Sequence, residues 1–342
     1  MFKNKASIVN IVGIVFVLVL IGVGVYRFVA PVSTPGTHIK RTALLMDTVV
    51  TVDLYAESEE QGKQVIAEVF SLIEYWEGIV DFHDPDSLLY SLNNQNEELV
   101  VPEGLITMLQ ESYRFFEKSG GRFDPTVAPL LELWGFGSGE HKVPTEEEIE
   151  RVQSKIDFEK VVINEQENTV KVPENMSLDL GAVAKGFVVD RSLEILKENN
   201  IYSALINFGG NIGVMGEMPD APWSVGIRDP RQEGNAHFEE YILGLTSGGV
   251  ATSGDYQRYF FEDGVRYSHI IDPLTGYPPR ELRSSVIYAP TALEAELSST
   301  TVFLLGRKEG QQLIEDLAGV EGLLIIDEEL WHSEGFLDLL VE

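Results

Sequence analysis

Glu296 and Thr300 stand four residues apart in PTALEAELSST, residues 290–300. On a helix this spacing puts a carboxylate and a hydroxyl on one face. An all-oxygen pair of that kind suits Mg²⁺ or Ca²⁺ and does not suit zinc. The plainer alternative is a solvated Glu near a helix start with Thr300 packed inward. His269 lies in SHIIDPLTG, residues 268–276, and is one of six histidines in the chain. Imidazole is suited to proton transfer near neutral pH. If this stretch is a strand, His269 and Ile271 share one face. A hydrogen-bonded structural histidine is the alternative here.

Two other stretches put small, polar and charged residues where a core element does not need them. Residues 179–186, DLGAVAKG, open a predicted helix. Small side chains admit a ligand to the backbone, exposed N–H groups at a helix start suit phosphate, and Lys185 adds a positive charge. A strand-to-helix connection with a solvated Lys is the competing reading. The spacing is not that of a Walker loop, and GGNIG at 209–213 is not a dinucleotide fingerprint. The latter reads as a tight turn that lines a pocket. Residues 123–129, FDPTVAP, hold two prolines and Asp124 after a helix stop, which makes a rigid loop. The alternative is a structural turn with Trp134 in the core.

The elements that must position these residues follow from periodicity. Residues 48–55 are β-branched and read as a strand. Val65, Val69 and Ile73 recur every four residues, so 58–79 reads as an amphipathic helix. A second helix at 105–119 is stopped by Gly120-Gly121. Short strands are expected at 161–164, 169–172, 204–208 and 322–327, with more alternating between 223 and 288. Helices are expected at 186–198 and 293–305. Strands and helices interleave with hairpins among them, which predicts an α+β fold with mixed or antiparallel sheets and packed helices.

The formal net charge is −30, which argues against a nucleic-acid partner, because phosphates would be repelled. An anionic dinucleotide would then need a divalent cation or clustered N–H groups to bind. The chain has no cysteine, so disulfides, zinc thiolates, thiol nucleophiles and a lipidated-Cys anchor are excluded.

Residues 8–26, IVNIVGIVFVLVLIGVGVY, carry one Asn and no charge. At about 1.5 Å per residue the run nearly crosses a ~30 Å hydrocarbon core. Lys3 and Lys5 precede it, so the N-terminus is expected inside and the remainder exported. The expected organisation is a membrane anchor at 1–30, a spacer at 31–37 and a catalytic domain at 38–342. The protein is then single-pass in the cell membrane with its domain extracytoplasmic. A cleaved signal segment is the competing reading.

Seven segments in order resemble the ApbE family of FAD:protein FMN transferases. They are Met46-Asp47-Thr48, FDPTVAPLLELWGFG, LDLGAVAKGF, INFGGNIGVMG, ATSGDYQRYF, SHIIDPLTG and PTALEAELSST. The resemblance spans about residues 44–306. It implies a fold related to the T-fold and Mg²⁺-dependent transfer of FMN from FAD to a Thr or Ser hydroxyl of an acceptor protein. The acceptor is expected to be a membrane redox subunit. The resemblance also implies that the carbonyl of Ala182 and the side chains of Glu296 and Thr300 hold the metal, with Ser299 nearby. Met46, Arg122, Phe123, Asp124, Asp179, Lys185 and Ile271 are implied to contact FAD, and His269 to assist proton transfer.

Two departures from the family pattern bear on this. The family usually has Asp where this chain has Glu296, and one extra methylene must be absorbed around an ion that wants near-octahedral ligands at about 2.0–2.1 Å. A hydrophobic segment also replaces the lipid-modified Cys of many relatives. An FAD pyrophosphatase and a non-catalytic FAD-binding protein remain as alternatives.

Overall fold

Alternating side chains and two-residue turns build most of the main sheet. The computed structural model describes residues 36–341 apart from 138, 233–236 and 328. The predicted anchor at 1–30 and nearly all of the spacer lie outside the described residues. Among the described residues no helix is long and apolar enough to cross a membrane.

Strands β1 (Thr37–Leu45) and β2 (Thr48–Ala56) are joined by Met46 and Asp47, both with positive φ, as a tight hairpin turn requires. Helix α1 (Glu59–Val80) starts where the Ser58 side chain accepts the Gln61 N–H, and it buries Val65, Ile66, Val69 and Ile73. Each of those side chains contributes roughly 1.5–3 kcal/mol by leaving water. Then come α2 (Leu88–Gln95), β3 (Leu99–Val100), α3 (Glu103–Lys118), α4 (Ala128–Leu133), α5 (Glu146–Gln153), β4 (Val162–Asn164) and β5 (Thr169–Lys171). Helix α6 (Ala184–Glu198) leads to β6 (Ser203–Phe208) and β7 (Asn211–Met215), whose Gly209-Gly210 turn has the positive φ angles that glycine tolerates.

The rest is β8 (Trp223–Arg228), β9 (His237–Leu245), β10 (Ser247–Gly254), β11 (Tyr259–Glu262), β12 (Val265–Ser268), β13 (Ser284–Ala289), α7 (Ala292–Asp316), β14 (Glu321–Ile326) and β15 (Glu329–His332). Helix α7 is broken at Gly306, which has φ 76°, so the expected helix end near 305 is a kink and the helix resumes beyond it.

Eight strands form one sheet in the order β1-β2-β6-β7-β10-β13-β14-β15. The pairings from β2 to β15 are antiparallel. Helices α1, α6 and α7 cover one face. The β8–β9 hairpin covers the other, where Trp223, Val225 and Ile227 alternate inward. With both faces covered, β13 is buried almost continuously, unlike a half-exposed strand. A third apolar cluster of Leu130, Trp134, Phe136, Ile149, Val152 and Ile271 joins α4, α5 and the β11–β12 hairpin. The α+β architecture expected from the interleaved elements is therefore present, with antiparallel pairing throughout the paired strands.

Candidate functional site

The site grows from the crossing of α6 and α7. A Cβ on Gly186 would stand 2.5 Å from the Ala292 carbonyl oxygen, and one on Gly249 would stand 2.4 Å from the Ala292 Cα. Glycine at both positions lets the start of α7 press against α6 and β10. Asp190 on α6 accepts the N–H groups of Ala292 at 2.8 Å and Leu293 at 2.9 Å. These are two of the amides that a helix start leaves without partners. Burial pushes the Asp190 carboxyl up to about 6, against the pull of those two amides.

Glu296 projects from the next turn of α7 and is only 4% exposed. One carboxylate oxygen accepts the Gly186 N–H at 2.7 Å. The other accepts from Asn211 Nδ2 at 3.0 Å and meets Lys185 Nζ at 2.9 Å. Lys185 Nζ also donates to the Gly181 carbonyl at 2.5 Å. Gly186 is the third residue of α6, so its N–H is one of the first-turn amides with no carbonyl partner inside the helix. Glu296 takes that amide, and among the described residues the Ala182 carbonyl accepts no hydrogen bond.

Thr300, one turn beyond Glu296, has its hydroxyl 3.1 Å from Ser253 Oγ, which is also 3.1 Å from Ser299 Oγ. Ser299 Oγ donates to the Glu296 carbonyl at 2.9 Å, and Ser285 Oγ to the Ser299 carbonyl at 2.7 Å. This chain of hydroxyls fixes α7 to β10 and β13.

Among the described residues no group of three or more His, Asp or Glu converges. The available donors are the Glu296 carboxylate, the Thr300 hydroxyl and the Ala182 carbonyl, which precedes α6. That set fits a hard divalent cation completed by water or substrate oxygens. The ammonium of Lys185 beside Glu296 shows that the position accepts positive charge.

All twelve residues singled out from the sequence line one cleft of about 630 Å³. Met46, Arg122, Phe123, Asp124, Asp179 and Ala182 come from loops and turns; Lys185, His269, Ile271, Glu296, Ser299 and Thr300 complete the wall. Ser253, Asn211, Gln257 and Arg258 also line it and were not singled out. All four lie in segments that carry the family resemblance, but nothing in their spacing pointed to Thr300. Asp190, behind the wall, carried no sequence signal.

The geometry corrects several expectations. His269 lies just past the end of β12, not within a strand, and Ile270 and Ile271 are both buried. Two successive buried residues break the alternation that a shared strand face requires. The helix-start N–H of Gly186 is not exposed, because Glu296 already holds it. Asp124 faces inward: its carboxylate accepts from Thr126 N at 2.7 Å, Thr126 Oγ1 at 2.6 Å and Phe158 N at 3.3 Å. It caps the Pro125–Val127 turn, and burial raises its carboxyl above the usual range. Trp134 is a core residue, as the structural-turn reading had it, and its Nε1 donates to the Gly276 carbonyl at 2.9 Å. Asp179 accepts the Gly181 N–H at 2.7 Å, which shapes the loop before Lys185.

On the opposite wall, the His269 backbone N–H donates to the Arg258 carbonyl at 3.0 Å, and its Nδ1 lies 3.3 Å from the same oxygen. Burial, with the charges of Arg258 and Lys185, pushes the imidazole down to about 4. It is neutral at pH 7 and available as a base. Arg122 donates to the buried carboxylate of Asp272, which ties the α3 end to the loop after β12.

The sequence model of the ApbE family matches residues 46–324. The chain belongs to the ApbE family. It is 33% identical over 318 residues to an FAD:protein FMN transferase of Treponema pallidum, covering 87% of each chain. A second FAD:protein FMN transferase, from Haemophilus influenzae, is 34% identical over 233 residues, 65% of this chain and 67% of the relative. Among solved structures, an ApbE protein of Thermotoga maritima superposes with a TM-score of 0.82 at 31% identity, covering 90% of this chain and all of the other. The flavin transferase ApbE of Vibrio cholerae gives a TM-score of 0.79 at 27% identity, again over 90% of this chain and all of its own.

Proposed function

We propose that this ApbE-family chain transfers FMN from FAD to a Thr or Ser hydroxyl of an acceptor protein, with a divalent cation, Mg²⁺ foremost, held by Glu296, Thr300 and the Ala182 carbonyl. The observation that supports the metal assignment is that a carbonyl, a carboxylate and a hydroxyl, those of Ala182, Glu296 and Thr300, line one cleft together. When bound, such a cation offsets pyrophosphate charge and polarises the phosphoryl group under attack. This also answers how a chain of net charge −30 binds an anionic dinucleotide.

The chain's own groups do the rest. Arg122, anchored by Asp272, and Lys185 supply positive charge on the cleft wall. Neutral His269 takes the proton from the acceptor hydroxyl. The hydroxyl oxygen forms a bond to the FMN phosphorus, the phosphoanhydride P–O bond breaks, and AMP leaves with the bridging oxygen. The product is a phosphoester-linked flavin. The acceptor we favour is a membrane redox subunit. The apolar run at residues 8–26 supports an extracytoplasmic domain tethered to the same membrane, which would raise the effective concentration of such a partner.

The test is to incubate the full-length chain with FAD, Mg²⁺ and a Thr-bearing acceptor domain, then measure the intact mass of the acceptor. A gain of one FMN, lost with EDTA and with Thr300→Ala, supports transfer. AMP and free FMN with an unmodified acceptor would support the pyrophosphatase reading. Tight FAD binding with no cleavage under any divalent ion would leave a binding protein. Protease accessibility of the domain in sealed vesicles tests the tether and its orientation.

A further inference from the structure

Glu296 differs from the Asp expected of the family by one methylene, and the structure shows what the longer side chain reaches. It accepts from a backbone N–H, a carboxamide and an ammonium: Gly186 at 2.7 Å, Asn211 at 3.0 Å and Lys185 at 2.9 Å. A carboxylate buried to 4% exposure without a cation would be costly. Lys185 removes that cost from inside the chain. Its own side chain is 28% exposed, so solvent lies beside the ammonium and it has room to leave. Its second hold, on the Gly181 carbonyl at 2.5 Å, belongs to the loop that also carries Ala182.

We propose that Lys185 is the resident counter-ion of Glu296, and that a divalent cation binds this chain by exchange, displacing the Lys185 ammonium from the carboxylate into the cleft. This rests on the reading that Glu296, Thr300 and Ala182 hold the cation. Two positive charges do not share Glu296 at contact distance without strong repulsion, because they meet in a partly desolvated pocket. Lys185 therefore sets the affinity for the metal. It holds the metal-free cleft in a folded, neutralised state, and it is released to face an anionic substrate only once the metal has arrived. The coupling of metal arrival to Lys185 release follows from one carboxylate holding the Gly186 N–H, Asn211 and Lys185 together.

The test uses the full-length chain without FAD, so that catalysis does not enter. The first readout is Mn²⁺ binding by EPR and Mg²⁺ binding by calorimetry, for the wild type, Lys185→Met and Thr300→Ala. Removing the competitor should tighten metal binding by about tenfold in Lys185→Met. The second readout separates displacement from simple charge repulsion: amine-reactive labelling of Lys185, quantified by peptide mass spectrometry. Labelling should be low in EDTA and rise severalfold with Mg²⁺ in the wild type, and stay low with Mg²⁺ in Thr300→Ala. The third readout is thermal unfolding: Lys185→Met should melt lower than the wild type in EDTA and gain more from Mg²⁺. Unchanged or weaker metal affinity in Lys185→Met, or labelling of Lys185 that does not respond to Mg²⁺ while Mg²⁺ binds, overturns the exchange. Mn²⁺ affinity unaffected by both Thr300→Ala and Glu296→Gln would instead overturn the metal-site reading beneath it.

Discussion

Asp190 and Glu296 cap each other's helices. Asp190 on α6 holds the first amides of α7, while Glu296 on α7 holds the Gly186 amide at the start of α6. Each carboxylate sits where the helix dipole favours negative charge. The two helices therefore lock in one register, and the candidate ligands Ala182, Glu296 and Thr300 inherit it.

Replacing Asp190 with Ala removes two hydrogen bonds at the start of α7 and leaves the Thr291 cap in place. The expected loss is about 1–2 kcal/mol of stability, as for a lost helix cap. Metal affinity should fall with it, while FAD binding without metal changes less. Chemical denaturation and calorimetry on the same preparation measure the two effects.

The pH dependence of Asp190 has a definite sign. Its folded pKa is raised from 3.8 to about 6, mainly by burial. Its favourable contribution is thus full below the unfolded pKa and is lost as pH rises through about 6. Asp190→Asn should flatten that part of the stability profile. A slope between pH 4 and 6 that is identical in wild type and variant would refute this.

His269 behaves in the opposite sense. Its folded pKa is lowered from 6.5 to about 4, so its contribution to stability is present above 6.5 and is lost as pH falls through about 4. Because the imidazole stays neutral, FMN transfer should hardly change between about pH 5.5 and 7.5, where an unperturbed His would titrate. His269→Asn should lower the rate of transfer by about 100-fold or more and leave FAD binding near wild type. A pH–rate profile and single-turnover mass spectrometry are the measurements.

Arg122 and Asp272 form the pair that ties the α3 end to the loop after His269. Asp272 is 3% exposed, so Arg122→Ala leaves a buried carboxylate without its cation. The predicted cost is about 2 kcal/mol, together with weaker FAD binding. Arg122→Lys should restore part of the stability and less of the binding, because a point charge does not reproduce the guanidinium fork.

Ser253 is bonded to both Ser299 and Thr300. Ser253→Ala frees the Thr300 hydroxyl to rotate. It should weaken Mn²⁺ binding by about tenfold with little effect on melting temperature.

Much of the architecture was legible along the chain because it is written in local periods. The i, i+4 pattern of Val65, Val69 and Ile73 marks α1. The Gly120-Gly121 stop follows α3, and the β-branched run marks β2. Where long-range packing decided, local rules failed. His269 reads as a strand residue by alternation, yet the chain turns after Ser268 and buries Ile270 and Ile271 in different clusters. Asp124 reads as part of a rigid loop, yet Phe158, 34 residues later, donates its N–H to the carboxylate.

The sequence by itself determined the donor chemistry, the helices and strands that carry it, and the family to which the seven motifs belong. These depend on residue type and on spacing within a few turns. Only the tertiary structure decided which carboxylate meets which donor. Gly186 lies 110 residues from Glu296, and Asn211 lies 85 residues from it. No period in the chain encodes those separations. They are set by how closely α6 and α7 approach across Gly186 and Gly249, and that approach decides that the Glu296 carboxylate rests on Lys185.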